Sequence, residues 1–157
     1  MTETERQHAR FEVIKTYYSK LDAQDATLLD LFSDDVALFF PKYGSSRGKT
    51  ELGNLGKRLV RQVERFKHDI DNFRYICQGD VMVIEGGVKG VMQNGDRFPV
   101  GDEEFNLFCT VFEFDGDLIS RMHIYIDPDY SHEDTRRLAN YSRSHKVSEA
   151  FKPALDE

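Results

Sequence analysis

The spacing of apolar residues changes once, near Phe66, and that change constrains the fold more than any other feature of the chain. Before it, apolar side chains recur every three or four residues, the period of one helix face. Phe11, Ile14, Tyr17, Tyr18 and Leu21 predict a helix over residues 5–21, and Leu28, Leu29, Leu31 and Phe32 a second, short one after the Asp25 turn. Leu52, Leu55, Leu59 and Val63 stripe a third helix over 49–64. Between these, Val36 to Phe40 reads as a strand stopped by Pro41, with a loop from Tyr43 to Gly48. After Phe66 the period falls to that of strands: residues 68–77, 81–92, 105–114 and 118–127, punctuated by Gln78-Gly79-Asp80, Asn94-Gly95 and Asp115-Gly116-Asp117.

Helices followed by a strand meander imply an α+β protein. The expected architecture is three N-terminal helices packed on a strongly curved, mostly antiparallel sheet, forming a cone with an internal pocket. Gly86-Gly87, in mid-strand, marks a bend or a close backbone approach. At 157 residues the chain suits one domain, taken as residues 1–130, with 131–157 as a C-terminal helical or flexible extension.

A net charge of −7 argues against a nucleic-acid binder. The short basic run Gly56-Lys57-Arg58-Leu59-Val60-Arg61 reads as a solvated helix face. Cys77 and Cys109 sit in apolar runs without metal-ligand spacing, as buried free thiols of a reducing compartment would. The first twenty residues hold no apolar leader and no run approaches membrane-spanning length, so a cytoplasmic protein without membrane association is expected.

The last strand carries the most specific chemistry. In Arg121-Met122-His123-Ile124-Tyr125-Ile126-Asp127, alternation sets Arg121, His123, Tyr125 and Asp127 on one face and the apolar residues on the other. The expectation is that the ionisable row lines the cone, where a desolvated carboxylate beside an imidazole is equipped for proton transfer. The plainer alternatives are that Asp127 caps a strand end and that His123 is a hydrogen-bonded core residue. Glu85, in an apolar strand, either faces the same cavity or pairs with Arg121, and His68 is a further cavity candidate. No compact spacing supports a metal site built from His68, His123 and Asp127. Asp102-Glu103-Glu104 and Asp129 are expected to rim the sheet in solvent. Phe32, Phe39, Phe40, Phe108, Phe112, Tyr17 and Tyr125 supply an aromatic wall, with Phe32, Phe40, Phe108 and Phe112 as ligand-contacting candidates.

Tyr17-Tyr18-Ser19-Lys20-Leu21-Asp22-Ala23-Gln24-Asp25, Leu31-Phe32-Ser33-Asp34-Asp35-Val36, Arg47-Gly48-Lys49, Val111 to Ile119 and Tyr125-Ile126-Asp127-Pro128 follow one another in an order that resembles SnoaL-like proteins of the nuclear transport factor 2-like superfamily. The resemblance runs from about residue 8 to 128. It implies an α+β cone enclosing a pocket, and a superfamily of isomerases, dehydratases, polyketide cyclases, epoxide hydrolases and non-catalytic adaptors. Position by position, Tyr17 matches the oxyanion-donating tyrosine of ketosteroid isomerases. Phe40 stands where their general-base aspartate would be and Thr110 where their protonated aspartate would be. Asp127 matches the acid–base aspartate of the polyketide cyclases.

The leading expectation is a cofactor-independent, metal-free enzyme that isomerises, cyclises, dehydrates or hydrates a small apolar oxygenated metabolite. Asp127, His123 and Tyr17 are its catalytic candidates. Tyr125, Arg121, Glu85, His68, Phe32, Phe40, Phe108, Thr110 and Phe112 are its substrate-binding candidates. The alternative is a non-catalytic ligand-binding or dimerisation module of the same fold. The resemblance implies a homodimer through the sheet under either reading.

Overall fold

The structure is a computed structural model that describes residues 2–100, 104–130, 133, 134 and 137. Helix α1, Glu3–Asp22, opens with a capping box: Thr2 Oγ1 accepts from the Glu5 amide at 3.2 Å, and a Glu5 carboxylate oxygen accepts from the Thr2 amide at 2.7 Å. Its inward face is Arg10, Ile14, Tyr17 and Tyr18, the spacing the sequence predicts plus one arginine. The expected second helix is a single 3-10 stretch, Ala26–Leu31, capped by the Asp25 carboxylate on the Thr27 amide. Six residues between two tight boundaries leave no room for an α-helical ladder.

Helix α2, Lys49–Val60, stops four residues short of the expected end. Val63 is instead fully buried in a strand, and the Gln93 side chain donates to the Val60 carbonyl at 2.7 Å, ending the helix. The predicted strand 68–77 is likewise two elements. A 3-10 turn at Ile70–Asn72 divides them, with the Asp69 amide bonded to the Gly87 carbonyl.

The strands are β1 Phe32–Phe40, β2 Gly44–Arg47, β3 Val63–His68, β4 Arg74–Gln78, β5 Val81–Met92, β6 Arg97–Phe98, β7 Asn106–Asp115 and β8 Leu118–Ile126. They form one mixed sheet, ordered β2-β1-β8-β7-β5-β3, with β4 and β6 also on β5. Every pairing is antiparallel except β1 with β8. The twelve-residue β5 pairs with β4 and then β3 along one edge, and with β7 and then β6 along the other, so the sheet curls around it. Gly86 sits at the midpoint, where a Cβ would lie 2.6 Å from the Phe73 ring and 2.9 Å from Phe108. The expected close approach is real and is made by aromatic side chains.

The concave face takes the apolar stripes of both helices. Ile14, Phe32, Val36, Met82, Ile84, Phe112, Ile119 and Met122 are almost wholly buried there. Each such side chain stabilises the fold by roughly 1.5–3 kcal/mol through apolar burial. Arg10 crosses the open end of this core. Its guanidinium donates to the carbonyls of Gly79 and Gly116, both at 3.2 Å, and meets an Asp80 carboxylate oxygen at 2.8 Å. One buried cation therefore ties the β4–β5 turn to the β7–β8 turn.

Cys77 and Cys109 are free and half-buried rather than buried. Glu104 is exposed; Asp102, Glu103 and nearly all of the C-terminal extension lie outside the described residues. Asp129 is half-buried, and its carboxylate accepts from the amides of Glu133 and Asp134. No helix among the described residues is long and apolar enough to cross a membrane.

Candidate active site

The ionisable row of β8 faces away from the cone. Met122 is 1% exposed and Ile124 and Ile126 line the interior, whereas Tyr125 is 48% exposed on the opposite face. A bulge causes this. Phe114 pairs with Ile119 but Glu113 pairs with Arg121, so Ser120 is an extra residue in β8. One inserted residue reverses the parity of everything after it, which turns Met122 inward and Arg121, His123 and Tyr125 outward.

On that outer face Arg121 forms an ion pair with Glu113, and its Nη2 bonds His123 Nδ1 at 3.2 Å. Burial, and secondarily the Arg121 charge, push the His123 pKa below its ordinary value, favouring the neutral ring. Phe39 packs against both His123 and Tyr125. Glu85 does not reach Arg121; it lies 3.8 Å from Arg74, both side chains exposed. Asp127 is exposed just past the strand, where Oδ1 accepts from the Asp129 amide at 2.9 Å. That is the strand-end capping geometry rather than a pocket position.

The interior has its own titratable pair. Asp22 is the last residue of α1 and His68 the last of β3, and both side chains are about nine-tenths buried. Asp22 Oδ1 lies 2.5 Å from His68 Nδ1, while Oδ2 accepts from the His68 backbone amide at 2.8 Å. The carboxylate thus holds both the ring and the backbone of one histidine. With Nδ1 engaged, the remaining ring nitrogen Nε2 is the free basic position.

His68 borders a small cavity of about 80 Å³ with Tyr17, Tyr18, Phe40, Phe108, Ile124 and Tyr130 among its lining. The Tyr18 ring sits between its neighbours, edge-on to Tyr17 at 4.9 Å and tilted against His68 at 4.7 Å, and its hydroxyl donates to Thr110 Oγ1 at 3.0 Å. Among the described residues, His68 Nε2 and the hydroxyls of Tyr17 and Tyr130 have no hydrogen-bond partner. Burial raises the pKa of all three tyrosines, so each is a neutral donor.

Of the expected site residues, then, Tyr17, His68, Phe40 and Phe108 meet at one cavity. Thr110 is buried behind it on Tyr18, and Phe32 and Phe112 are packed core. Arg121, His123, Tyr125 and Glu85 belong to the other face. Asp22 and Tyr130 were not expected there. The only sequence signal for Asp22 is a charged residue one position past the last apolar residue of the first helix stripe, which reads as an ordinary helix end.

Tyr130, 4% exposed, lines the cavity on the side of its outer neighbour. It packs on Phe98 and Phe66, with ring centroids 4.6 and 6.2 Å away. Phe40, Leu59 and Tyr130 line both this cavity and an outer cleft of about 440 Å³ whose rim includes Lys42, Gln62, Gln93 and Asn94. No group of three or more His, Cys, Asp or Glu side chains among the described residues is placed to hold a metal ion.

A family model for the SnoaL-like domain matches residues 14–122. This chain belongs to the SnoaL-like family. The match covers α1 from Ile14 through the middle of β8, and therefore both Asp22 and His68 but not Tyr130. No curated protein sequence matches the chain. Among solved structures, the SnoaL-like chain is similar to an LEH-like epoxide hydrolase from M. tuberculosis at 18% identity and a TM-score of 0.62, covering 88% of this chain and 98% of that one. It is similar to a candidate polyketide cyclase from Xanthomonas campestris pv. campestris at 18% identity and a TM-score of 0.64, over 78% and 92% of the two chains. It is also similar to TerC, co-crystallised with polyporic acid, at 18% identity and a TM-score of 0.66, over 80% and 96%. These likenesses establish the nuclear transport factor 2-like fold of this SnoaL-like chain.

Proposed function

We propose that this SnoaL-like protein is a cofactor-independent acid–base enzyme whose proton-transfer group is His68, held by Asp22, and whose substrate is a small apolar oxygenated metabolite. The observation that carries the reading is the Asp22–His68 pair, with Nε2 unpartnered among the described residues, on a histidine that lines one cavity with Tyr17, whose hydroxyl is also unpartnered. Asp22 accepts from Nδ1–H and so fixes the tautomer with a basic Nε2.

His68 Nε2 takes a proton from carbon next to a carbonyl, or from water. The Tyr17 hydroxyl hydrogen-bonds the oxygen on which charge develops, and the Asp22 carboxylate stabilises the imidazolium that forms. Return of that proton to another carbon isomerises the substrate; its delivery to a departing hydroxyl dehydrates it. Asp127 and His123 are not used. The partner in this reading is a small apolar ligand. The outer face, where Leu107 is 76% and Ile76 73% exposed, is where a second copy would dock to make a homodimer.

The test is a panel of apolar ketones, hydroxyketones and epoxides incubated with the protein in heavy water, followed by NMR and mass spectrometry. Deuterium incorporation or turnover should fall on the order of 10²–10⁴-fold in His68→Gln. Activity that survives His68→Gln and Tyr17→Phe unchanged would sink the assignment.

A binding-only reading draws on one separate observation. The cavity of about 80 Å³ behind Tyr130 is well below the roughly 300–1,000 Å³ of ordinary ligand pockets. Ligand retention without any chemical change across the panel supports that reading.

A further inference from the structure

Outside the cone, three neighbouring strands gather positive charge. The register places Arg65 of β3 opposite Val91 of β5, and Val91 opposite Arg97 of β6. Two residues along, Lys67 of β3 stands directly opposite Lys89 of β5. Since Phe66 and His68 point into the cone, Arg65, Lys67, Lys89 and Arg97 share the opposite, outer face. With Phe66, Gly90, Val91, Phe98 and Pro99 they line an open groove of about 470 Å³.

Among the described residues the charges are only weakly compensated. Arg65 meets Glu64 at 3.5 Å, both exposed, a contact worth little in water. Lys67, Lys89 and Arg97 have no ion pair among the described residues, although Lys89 lies over the Phe105 ring at 4.5 Å. Among the described residues Glu104 is the one carboxylate that lines the groove. In a chain of net charge −7, four cations are set on one ledge, and two of them oppose each other across a strand pair, which is destabilising in the free protein.

We infer that this ledge is a binding site for a phosphate- or diphosphate-bearing small molecule, independent of the reaction proposed for the interior. Its dimensions select the ligand. Three strands span about 10 Å and two rows of outward residues about 7 Å, enough for one or two phosphate groups and too little to track a polymer. The acidic remainder of the surface repels an extended polyanion. The apolar surface of Val91 and Pro99 suits the uncharged part of a phosphate ester.

The test uses the full ¹⁵N-labelled chain titrated with inorganic pyrophosphate, against sodium chloride at matched ionic strength. Amides of Arg65–Lys67, Lys89–Val91 and Arg97–Phe98 should shift and saturate with pyrophosphate alone. The double variant Lys67→Gln/Lys89→Gln should bind at least tenfold more weakly, while Lys57→Gln on α2 binds as wild type. In low salt the double variant should melt at or above the wild-type temperature, because a repulsion is removed, yet gain no stability from pyrophosphate. Shifts reproduced by chloride, spread evenly over other lysines, or unaltered in the double variant would overturn the site. Tighter binding of a twelve-nucleotide oligomer on the same amides, with a steep salt dependence, would overturn the choice of ligand.

Discussion

Asp22 grips His68 at two points, with Oδ1 2.5 Å from Nδ1 and Oδ2 accepting from the backbone amide of the same residue at 2.8 Å. The pair joins the end of α1 to the end of β3, so the ring is fixed by elements rather than by loops. Asp22→Asn should retain the fold with a loss of about 1–3 kcal/mol, and lose the single ring tautomer. Imidazole ¹⁵N shifts check this: wild type should show a protonated Nδ1 and a basic Nε2, the variant a mixture. A wild-type ring protonated at Nε2 alone would remove His68 as a base.

Arg10 carries a different kind of load. Arg10→Met keeps the stem but deletes two bonds to turn carbonyls and the contact with Asp80. The expected loss is about 2–4 kcal/mol, read as a fall of roughly 5–15 °C in the thermal midpoint. Because both turns are held by one guanidinium, Arg10→Lys should recover little of it. A midpoint within 2 °C of wild type (an order-of-magnitude threshold by the same scaling) would contradict the clamp.

Two glycines in β5 should differ in severity. A Cβ at Gly86 meets the edges of Phe73 and Phe108, which can yield by turning; at Gly90 it would sit 2.2 Å from the Arg65 carbonyl oxygen, which cannot. Gly86→Ala is expected to cost about 1–3 kcal/mol, and Gly90→Ala more, with β3 displaced from β5. Denaturant melts of the two variants measure the order, and the reverse order would contradict the geometry.

His123 offers a pH test. Its pKa is lowered in the fold from an ordinary 6.5, so the unfolded chain binds the proton more readily than the native one. The stability it contributes is present above pH 6.5 and is lost as pH falls through the native value. Replacing it with Asn should flatten the stability–pH curve on the acid side of 6.5 while leaving it unchanged at pH 8. Proton NMR titration of the ring should give a midpoint below 6.5.

The stripe of α1, the boundaries of β5 and the hairpin turns were legible because each rests on local chemistry. The facing of β8 was not. Alternation says which residues share a side, and Arg121, His123 and Tyr125 do share one; the side is decided by the Ser120 bulge, which depends on pairing with β7. Asp22 and His68 escaped notice as a pair for a related reason. They are 46 residues apart and meet only because β3 returns beneath the end of α1. His68 is named as a cavity candidate by its strand's place beside that of Glu85, although Glu85 faces out, and Tyr17 by the helix stripe and the family resemblance.

Tyr130→Ala removes a ring that, like Phe40 and Leu59, lines both the cavity and the outer cleft. The variant should bind hydrophobic probes that wild type excludes, at a cost of about 3 kcal/mol in stability. Fluorescence titration checks the first and thermal melts the second. Equal probe uptake by both proteins would mean that Tyr130 does not govern entry.

The family match ends at residue 122, eight positions before Tyr130. The Asp22–His68 pair proposed to handle the proton and the Tyr130 ring between cavity and cleft therefore sit on separately mutable stretches of chain. Changes confined to the segment after β8 can alter which molecules are admitted while the chemistry beneath stays as it was. Under the proposed function, selectivity can be tuned at Tyr130 without touching Asp22 or His68.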